Sequence, residues 1–422
     1  MADEMFTKAL DGAEIEEVDP LATLLDVPLP KKANSGLLGA NERERLWKEL
    51  SYFGSNDLAY LLRGFEGVDY AEIVRDVCEK KKIKDIKQSN RLTSVRKNEE
   101  ALLEALFTDI WNHMSEAEKR LLLKELDLNE GDFLTGGTLS AGARIAAQLA
   151  GAGGFGTYRM AVIVANTVAR ALLGRGITFA GNAAITRALG VALGPIGWIA
   201  SGAWLVIDLA APAYRKTVPA VVQVAALRQL TEQRELIGVM GHGSTGKTSL
   251  LKYVFNIDTK EIHPIPGTTK TVKLYNAPAT AIPLRVMDFP GFGDLRPAVE
   301  KEIKEQTSNC KAIIYLFNGA EIPKREEIEE FDRYAKNVRG KANQPIPVIP
   351  MLNKWDKADD DEREAIFDET RRRLGRDDIL CTSLKDKPGN SYFIPSIEEI
   401  RRKINAWARD KGKHSPFSEV AA

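Results

Sequence analysis

Eight consecutive residues, Gly241-His242-Gly243-Ser244-Thr245-Gly246-Lys247-Thr248, have the types and spacing to hold a polyphosphate. They fit the pattern G-x-x-x-x-G-K-[ST] without a mismatch. Glycines let a backbone wrap an anion closely, so that successive N–H groups point at it from a loop that opens a helix. Lys247 is placed to reach β- and γ-phosphates and Thr248 to ligate Mg²⁺, with Ser249 following on the same turn. His242 reads first as a tolerated loop residue, of interest only through its position in the loop.

Four further groups follow in the order that a guanine-nucleotide site requires. Pro266-Gly-Thr-Thr-Lys270 lies on a polar loop and offers the hydroxyls of Thr268 and Thr269 for a second Mg²⁺ contact. In Asp288-Phe-Pro-Gly291 a carboxylate can hold the water shell of the metal, and the Gly291 N–H can meet a γ-phosphate. In Asn353-Lys354-Trp355-Asp356 the Asp is positioned to accept from guanine N1 and N2 hydrogens, which adenine does not offer. That acceptor selects GTP over ATP. The backbone of Thr382-Ser383-Leu384-Lys385 can donate to guanine O6. Each group alone is a weak signal; N-K-x-D by itself is as often a solvated turn.

These groups need rigid elements to bring them together. Strand-like runs fall near 235–240, 271–276, 283–288, 311–317, 346–352 and 378–382. Amphipathic stretches at 297–308, 323–338, 361–374 and 396–409 alternate with them. The expected fold is an α/β P-loop domain, a mainly parallel sheet flanked by helices, preceded by an all-α N-terminal domain. In such sheets ligands sit outside the carboxyl ends of the strands, where all five groups fall.

Residues 235–410 resemble the translation-factor-class P-loop GTPases, in the Era-like and immunity-related neighbourhood, through the D-x-P-G form and the P-G-T-T-K switch. The resemblance implies GTP/GDP and Mg²⁺ as ligands. It implies metal contacts from Thr248, Thr269 and Asp288, with Thr268 the lesser switch candidate, and a catalytic set of Lys247, Thr269 and Gly291. Two departures matter. Phe292 stands where many GTPases carry a water-orienting Gln, and Ser244 replaces an Asn that helps several Era-like enzymes to bind potassium. Relatives with an apolar residue at the Gln position often assemble across their nucleotide faces. Here that face would comprise His263, Lys270 and the helix after Asp294.

Basic and acidic residues balance at 59 each, so no bulk nucleic-acid binding is expected. Cys78, Cys310 and Cys381 are far apart and read as reduced thiols. His113, His242, His263 and His414 are scattered, which argues against a zinc site. The N-terminus lacks the basic-then-apolar layout of a secretory signal. The expected placement is cytoplasmic, with a peripheral or inserted position at the inner membrane as the second reading.

Along the chain, residues 1–34 read as an acidic, flexible leader, 35–135 as a helical domain, 136–234 as a Gly/Ala-rich apolar segment with a connecting helix, and 411–422 as a disordered tail. The spacing of Glu42–Leu50, Glu99–Phe107 and Glu116–Glu125 is helical, with Ser115 and Glu118 forming a capping box. Lys80–Lys87 is a basic run that reads as a solvated helix end or loop, with an acidic partner or lipid headgroups as the second reading. Within 136–214 the charged side chains are arginines and Asp208, and Ala188–Ile207 is uncharged over the length that spans a bilayer. Gly194-Pro-Ile-Gly197 interrupts that stretch. A tightly packed helical bundle and a membrane-associating hairpin are both compatible with this composition. Residues 35–225 also resemble an uncharacterised bacterial helical family described as similar to ubiquinol–cytochrome c chaperones, through Tyr70–Cys78, the alanine-rich middle, Gly194–Trp198 and Pro212–Arg215. The helix expected over 217–234 leads directly into the first strand. Two functional readings follow: a Mg²⁺-dependent GTP-hydrolysing switch activated by self-association or a partner, or a nucleotide-binding scaffold with negligible turnover.

Overall fold

The computed structural model describes residues 3–30, 38–54, 68–126, 128–134, 140–152, 154–176, 214–258, 272–277, 280, 282–291, 303, 306–340, 343–410 and 416–417. Two compact units meet in sequence between Gln233 and Arg234.

The first unit is helical. Its described helices are α1 (Glu4–Ala9), α2 (Ile15–Leu24), α3 (Ala40–Gly54), α4 (Tyr70–Lys80), α5 (Leu92–His113), α6 (Glu116–Glu125), α7 (Glu130–Leu134), α8 (Ala141–Gly151), α9 (Gly154–Leu173) and α10 (Tyr214–Gln233). Local chemistry sets several of their starts. Asp3 accepts from Met5 N and Phe6 N, Asp69 accepts from Glu72 N, and Ser115 with Glu118 forms the expected reciprocal box.

Residues 1–34 are not a loose leader where they are described. Phe6, Leu10, Val18, Leu21 and Leu25 are buried in the same core as α5, α9 and α10. The acidic residues that colour this segment lie between apolar ones at helical spacing, and the apolar ones decide its fate. The Gly/Ala-rich segment also joins the core where it is described. In α9 residues 160–169 are buried on every side, and the helix packs against α5, α8 and α10. A helix apolar all round belongs at the centre of a bundle as readily as in a bilayer. No helix among the described residues is long and apolar enough to cross a membrane. The stretch 188–207 lies outside the described residues.

A buried ion pair sits at the centre of this unit. Arg228 on α10 donates to both oxygens of Glu99 on α5, at 2.8 and 3.2 Å, and also to Met5 O at 3.1 Å. Tyr70 on α4 donates to Glu99 at 2.7 Å. Four segments distant in sequence are thereby joined through two side chains that are 2–3% exposed. Burial also pushes Cys78 up to about 12, and Cys310 and Cys381 likewise. Burial thus disfavours the thiolate form at all three.

The second unit is the doubly wound sheet. Strands β1 (Glu235–Gly241), β2 (Lys273–Asn276), β3 (Leu284–Asp288), β4 (Ala312–Asn318), β5 (Val348–Asn353) and β6 (Leu380–Thr382) lie in the order β2-β3-β1-β4-β5-β6. All pairings are parallel except the edge pair of β2 with β3. Residues of β1 alternate faces. Ile237 and Val239 pack under α11 (Lys247–Tyr253) and α14 (Phe393–Asp410), and Met240 lies on the side of α12 (Arg325–Asn337) and α13 (Asp360–Leu374). The far C-terminus, expected to be disordered over 411–422, is described at 416–417, where Phe417 is buried against Phe255 and exchanges two bonds with Asn405.

Leaving the Arg228 charge without its partner should be costly. Glu99→Gln is expected to lower stability to urea by about 3–5 kcal/mol. Adding Arg228→Met to it should restore much of the loss, because no unpaired charge then remains. Equal losses in the single and double variants would show that the ion pair is not what joins these helices.

Candidate functional site

The parallel strands end on one edge of the sheet, and that edge gathers the residues singled out by their chemistry. β1 runs out at Gly241 into the loop 242–246, β3 ends at Asp288, β5 at Asn353 and β6 at Thr382. The pairing register places Asp288 opposite Val239, and Asn353 opposite both Asn318 and Thr382.

The phosphate-type loop is held from within. Thr245 Oγ1 donates to His242 O at 3.0 Å, and Lys247 Nζ donates to the carbonyls of Gly241 at 2.8 Å and His242 at 2.9 Å. Ser244 has a φ of 62°, and Gly246 caps α11 with a φ of 102°. A Cβ at Gly246 would lie 2.1 Å from Asn353 Nδ2. Gly is therefore needed there for conformation and for space. The first N–H groups of α11, from Lys247, Thr248 and Ser249, have no acceptor within their own helix, as at any helix start.

Asn353 is the joint of the site. Its Nδ2 donates to Thr245 O at 2.8 Å, and its Oδ1 accepts from Leu384 N at 3.1 Å. One buried amide thus fastens the phosphate-type loop to the segment Thr382–Lys385. Lys354 follows with a left-handed φ of 69°, which turns the chain so that Asp356, on a 3₁₀ turn, faces Ser383. Ser383 Oγ donates to Asp356 Oδ1, and Lys387 Nζ pairs with Asp356 Oδ2 at 2.8 Å.

On the other side of the loop, a Cβ at Gly291 would lie 3.1 Å from Gly243 N, so the D-x-P-G turn comes directly against the loop. Burial raises Asp288 to about 6, partly countered by Lys247 and Lys273. Burial lowers Lys247 to about 8, partly countered by Asp288. The two groups thus oppose each other's shift across the site. Asp288 Oδ1 is buried with no protein partner. Among the described residues no cluster of three His, Cys, Asp or Glu could hold a metal. A single unpartnered carboxylate oxygen at the strand edge where the phosphate-type loop begins suits a cation that keeps its waters and takes phosphate oxygens, as Mg²⁺ does. The residues present fit that ion.

His242 has a specific partner. Its Nε2 lies 2.9 Å from Glu330 Oε2 on α12, and Tyr315 of β4 donates to the same oxygen at 3.3 Å. The bland reading of His242 as a tolerated loop residue missed this tie. Nothing in the sequence paired His242 with an acid 88 residues away. Lys387 and Asn390 were missed as well, although the turn-forming Pro388-Gly389-Asn390 was a usable sign. Thr268, Thr269, Lys270, His263 and Phe292 lie outside the described residues.

Asn353→Ala should destabilise the second unit, because it leaves Thr245 O and Leu384 N without partners, at about 1–3 kcal/mol each. Asn353→Asp keeps the acceptor for Leu384 N and should lose less in urea unfolding. If the Ala variant unfolds at the wild-type denaturant concentration, the joint does not carry the load assigned to it.

Residues of the second unit resemble those of known G proteins in sequence. Residues 236–397 match the Gtr1/RagA G protein conserved region. A probable GTP-binding protein EngB from Aquifex aeolicus is 25% identical over 37% of this chain and 86% of its own length. Era in complex with MgGDPNP and a segment of 16S ribosomal RNA aligns at 16% identity and a TM-score of 0.33, over 45% of this chain and 59% of that one. A UPF0174 protein from Helicobacter pylori strain J99 is 41% identical over 46% of this chain. That match takes in 74% of the Helicobacter protein, so the chain belongs to the UPF0174 family, and its second unit has the mostly parallel, helix-flanked sheet of the P-loop GTPase fold.

Proposed function

We propose that the second unit binds GTP and hydrolyses it to GDP and phosphate as a Mg²⁺-dependent switch. The observation that carries this reading is the Asn353 joint, which sets the phosphate-type loop and the Asp356 turn at one end of the sheet. Backbone amides of residues 243–248 and the Lys247 ammonium hold the β- and γ-phosphates. Asp356 accepts from guanine N1 and N2, and within the segment Ser383–Lys385 the Lys385 N–H is the backbone donor for guanine O6, since those of Ser383 and Leu384 are held by Ser396 and Asn353.

Thr248, Asp288 and, from the switch segment, Thr269 with Thr268 behind it would hold Mg²⁺. When bound, the ion neutralises charge on the β- and γ-oxygens. Lys247 places a positive charge on the transferring group, and the Gly291 N–H restrains the γ-phosphate while water attacks in line. Phe292 has no hydrogen-bonding group with which to orient that water. The missing element comes from a partner surface, most simply a second copy of this chain contributing an arginine, which is worth several orders of magnitude in such reactions. The helical unit serves as the effector module. Within its Gly/Ala-rich segment, 136–214, the uncharged stretch 188–207 has the composition suited to a membrane surface.

Lys247→Ala should abolish phosphate release and most triphosphate binding, whereas Thr248→Ala should chiefly raise the Mg²⁺ concentration needed. Lys247→Ala with wild-type affinity and turnover would refute the phosphate-loop assignment.

Activation by self-association makes specific activity a function of concentration. Phosphate release per molecule should rise over a hundredfold range of protein concentration, and protein with a GTP analogue should be larger in solution than protein with GDP. A flat profile with a monomer in both states would leave a foreign activator or the slow scaffold.

A further inference from the structure

The loop after β6 carries a lysine that sits on the carboxylate assigned to guanine. Lys387 Nζ lies 2.8 Å from Asp356 Oδ2, and the Asp356 side chain is only 6% exposed. The loop that presents Lys387 is fastened to itself. Asn390 Nδ2 donates to Ser383 Oγ at 2.9 Å and to Lys385 O at 2.8 Å, and Asn390 N donates to Lys387 O at 3.2 Å. Gly389 turns the chain with a φ of 80°. Ser383 Oγ in turn donates to the other oxygen of Asp356. Both oxygens that guanine requires are therefore engaged by donors from one short loop.

The two engagements differ in kind. Ser383 is directed by Asn390 and buried. The Lys387 side chain is 41% exposed, and its contact with Oδ2 is a charge pairing without the alignment of a good hydrogen bond. Burial alone would raise the Asp356 carboxyl, but Lys387 and Ser383 outweigh it and hold it below the usual carboxylate range. A flexible, half-solvated ammonium can leave by rotating its own stem, whereas Ser383 cannot leave without undoing the loop.

We propose that Lys387 is an internal competitor of guanine, a latch that pairs with Asp356 until the base N–H donors displace it. This rests on the guanine reading of the site and adds its regulation. Adenine nucleotides bring no donors to Asp356 and gain nothing when the latch is removed. A binding-competent fraction below one lowers apparent affinity by that fraction, so removing the latch raises affinity in proportion. Partly exposed pairs of this type are weak, which sets the scale at about three- to tenfold.

The test measures GDP and ADP binding by calorimetry and stopped flow for the full chain, Lys387→Ala and Lys387→Gln. Both variants should bind GDP about three- to tenfold more tightly than wild type, with faster association and unchanged ADP binding. The gain should shrink as salt is raised from 50 to 500 mM, roughly as screening of a half-exposed pair requires. In an Asp356→Asn background, probed with XDP, Lys387→Ala should have no effect. Weaker GDP binding in both variants would overturn the proposal and make Lys387 a group that positions Asp356. Unchanged binding would overturn it as well. If the wild-type chain binds GDP no better than ADP, the guanine reading itself fails and the latch falls with it.

Discussion

One buried amide holds the proposed site together. Asn353 donates to the loop between β1 and α11 and accepts from the loop after β6, across the four neighbouring strands β1-β4-β5-β6. Without it, the phosphate-type loop and the Asp356 turn would be two separate surface features. Gly246 is required because any side chain there would meet this amide. Thr382 also approaches the same oxygen, at 3.5 Å, so the far edge of the sheet is tied in through one residue. The parallel register makes this economical: strands that run the same way deliver their ends to one edge, and a single side chain of ordinary length spans them.

The helical unit depends on a comparable device of different chemistry. Glu99 and Arg228 are buried charges that pair with each other, and Tyr70 and the Met5 carbonyl add a hydrogen bond to each. Such a pair contributes little net stability over an apolar core, yet it penalises every arrangement that separates its members. It therefore specifies how α1, α4, α5 and α10 meet. α10 ends at Gln233, two residues before β1, which makes it the covalent route from this bundle to the nucleotide-type loop.

Much of the second unit was legible in the sequence because its signals are local. The glycine loop, the terminal residues of β3, β5 and β6, and the alternation of strand and helix are each written within about a dozen residues. What was not legible is long-range. His242 pairs with Glu330, and Lys387 with Asp356, through folding that no spacing rule encodes. In the first unit, the acidic composition of residues 1–34 concealed Phe6, Leu10, Val18 and Leu21, whose burial needs partners from α5 and α10 that the segment itself does not reveal. The apolar run in α9 was ambiguous for a related reason: a helix apolar all round reads alike whether lipid or other helices cover it.

Under the proposed function, Asp356 and the loop of Gly241–Thr248 form one guanine-nucleotide site. The most direct measurement is a calorimetric titration of the full chain with GDP and with ADP, side by side in Mg²⁺ buffer. A site whose buried carboxylate needs two N–H donors should discriminate by at least about a thousandfold in favour of GDP, since adenine would leave buried polar groups unmatched. Equal affinities for the two nucleotides would rule out a guanine site at Asp356, because the phosphate-type loop would then be working without the base site that Asn353 ties to it.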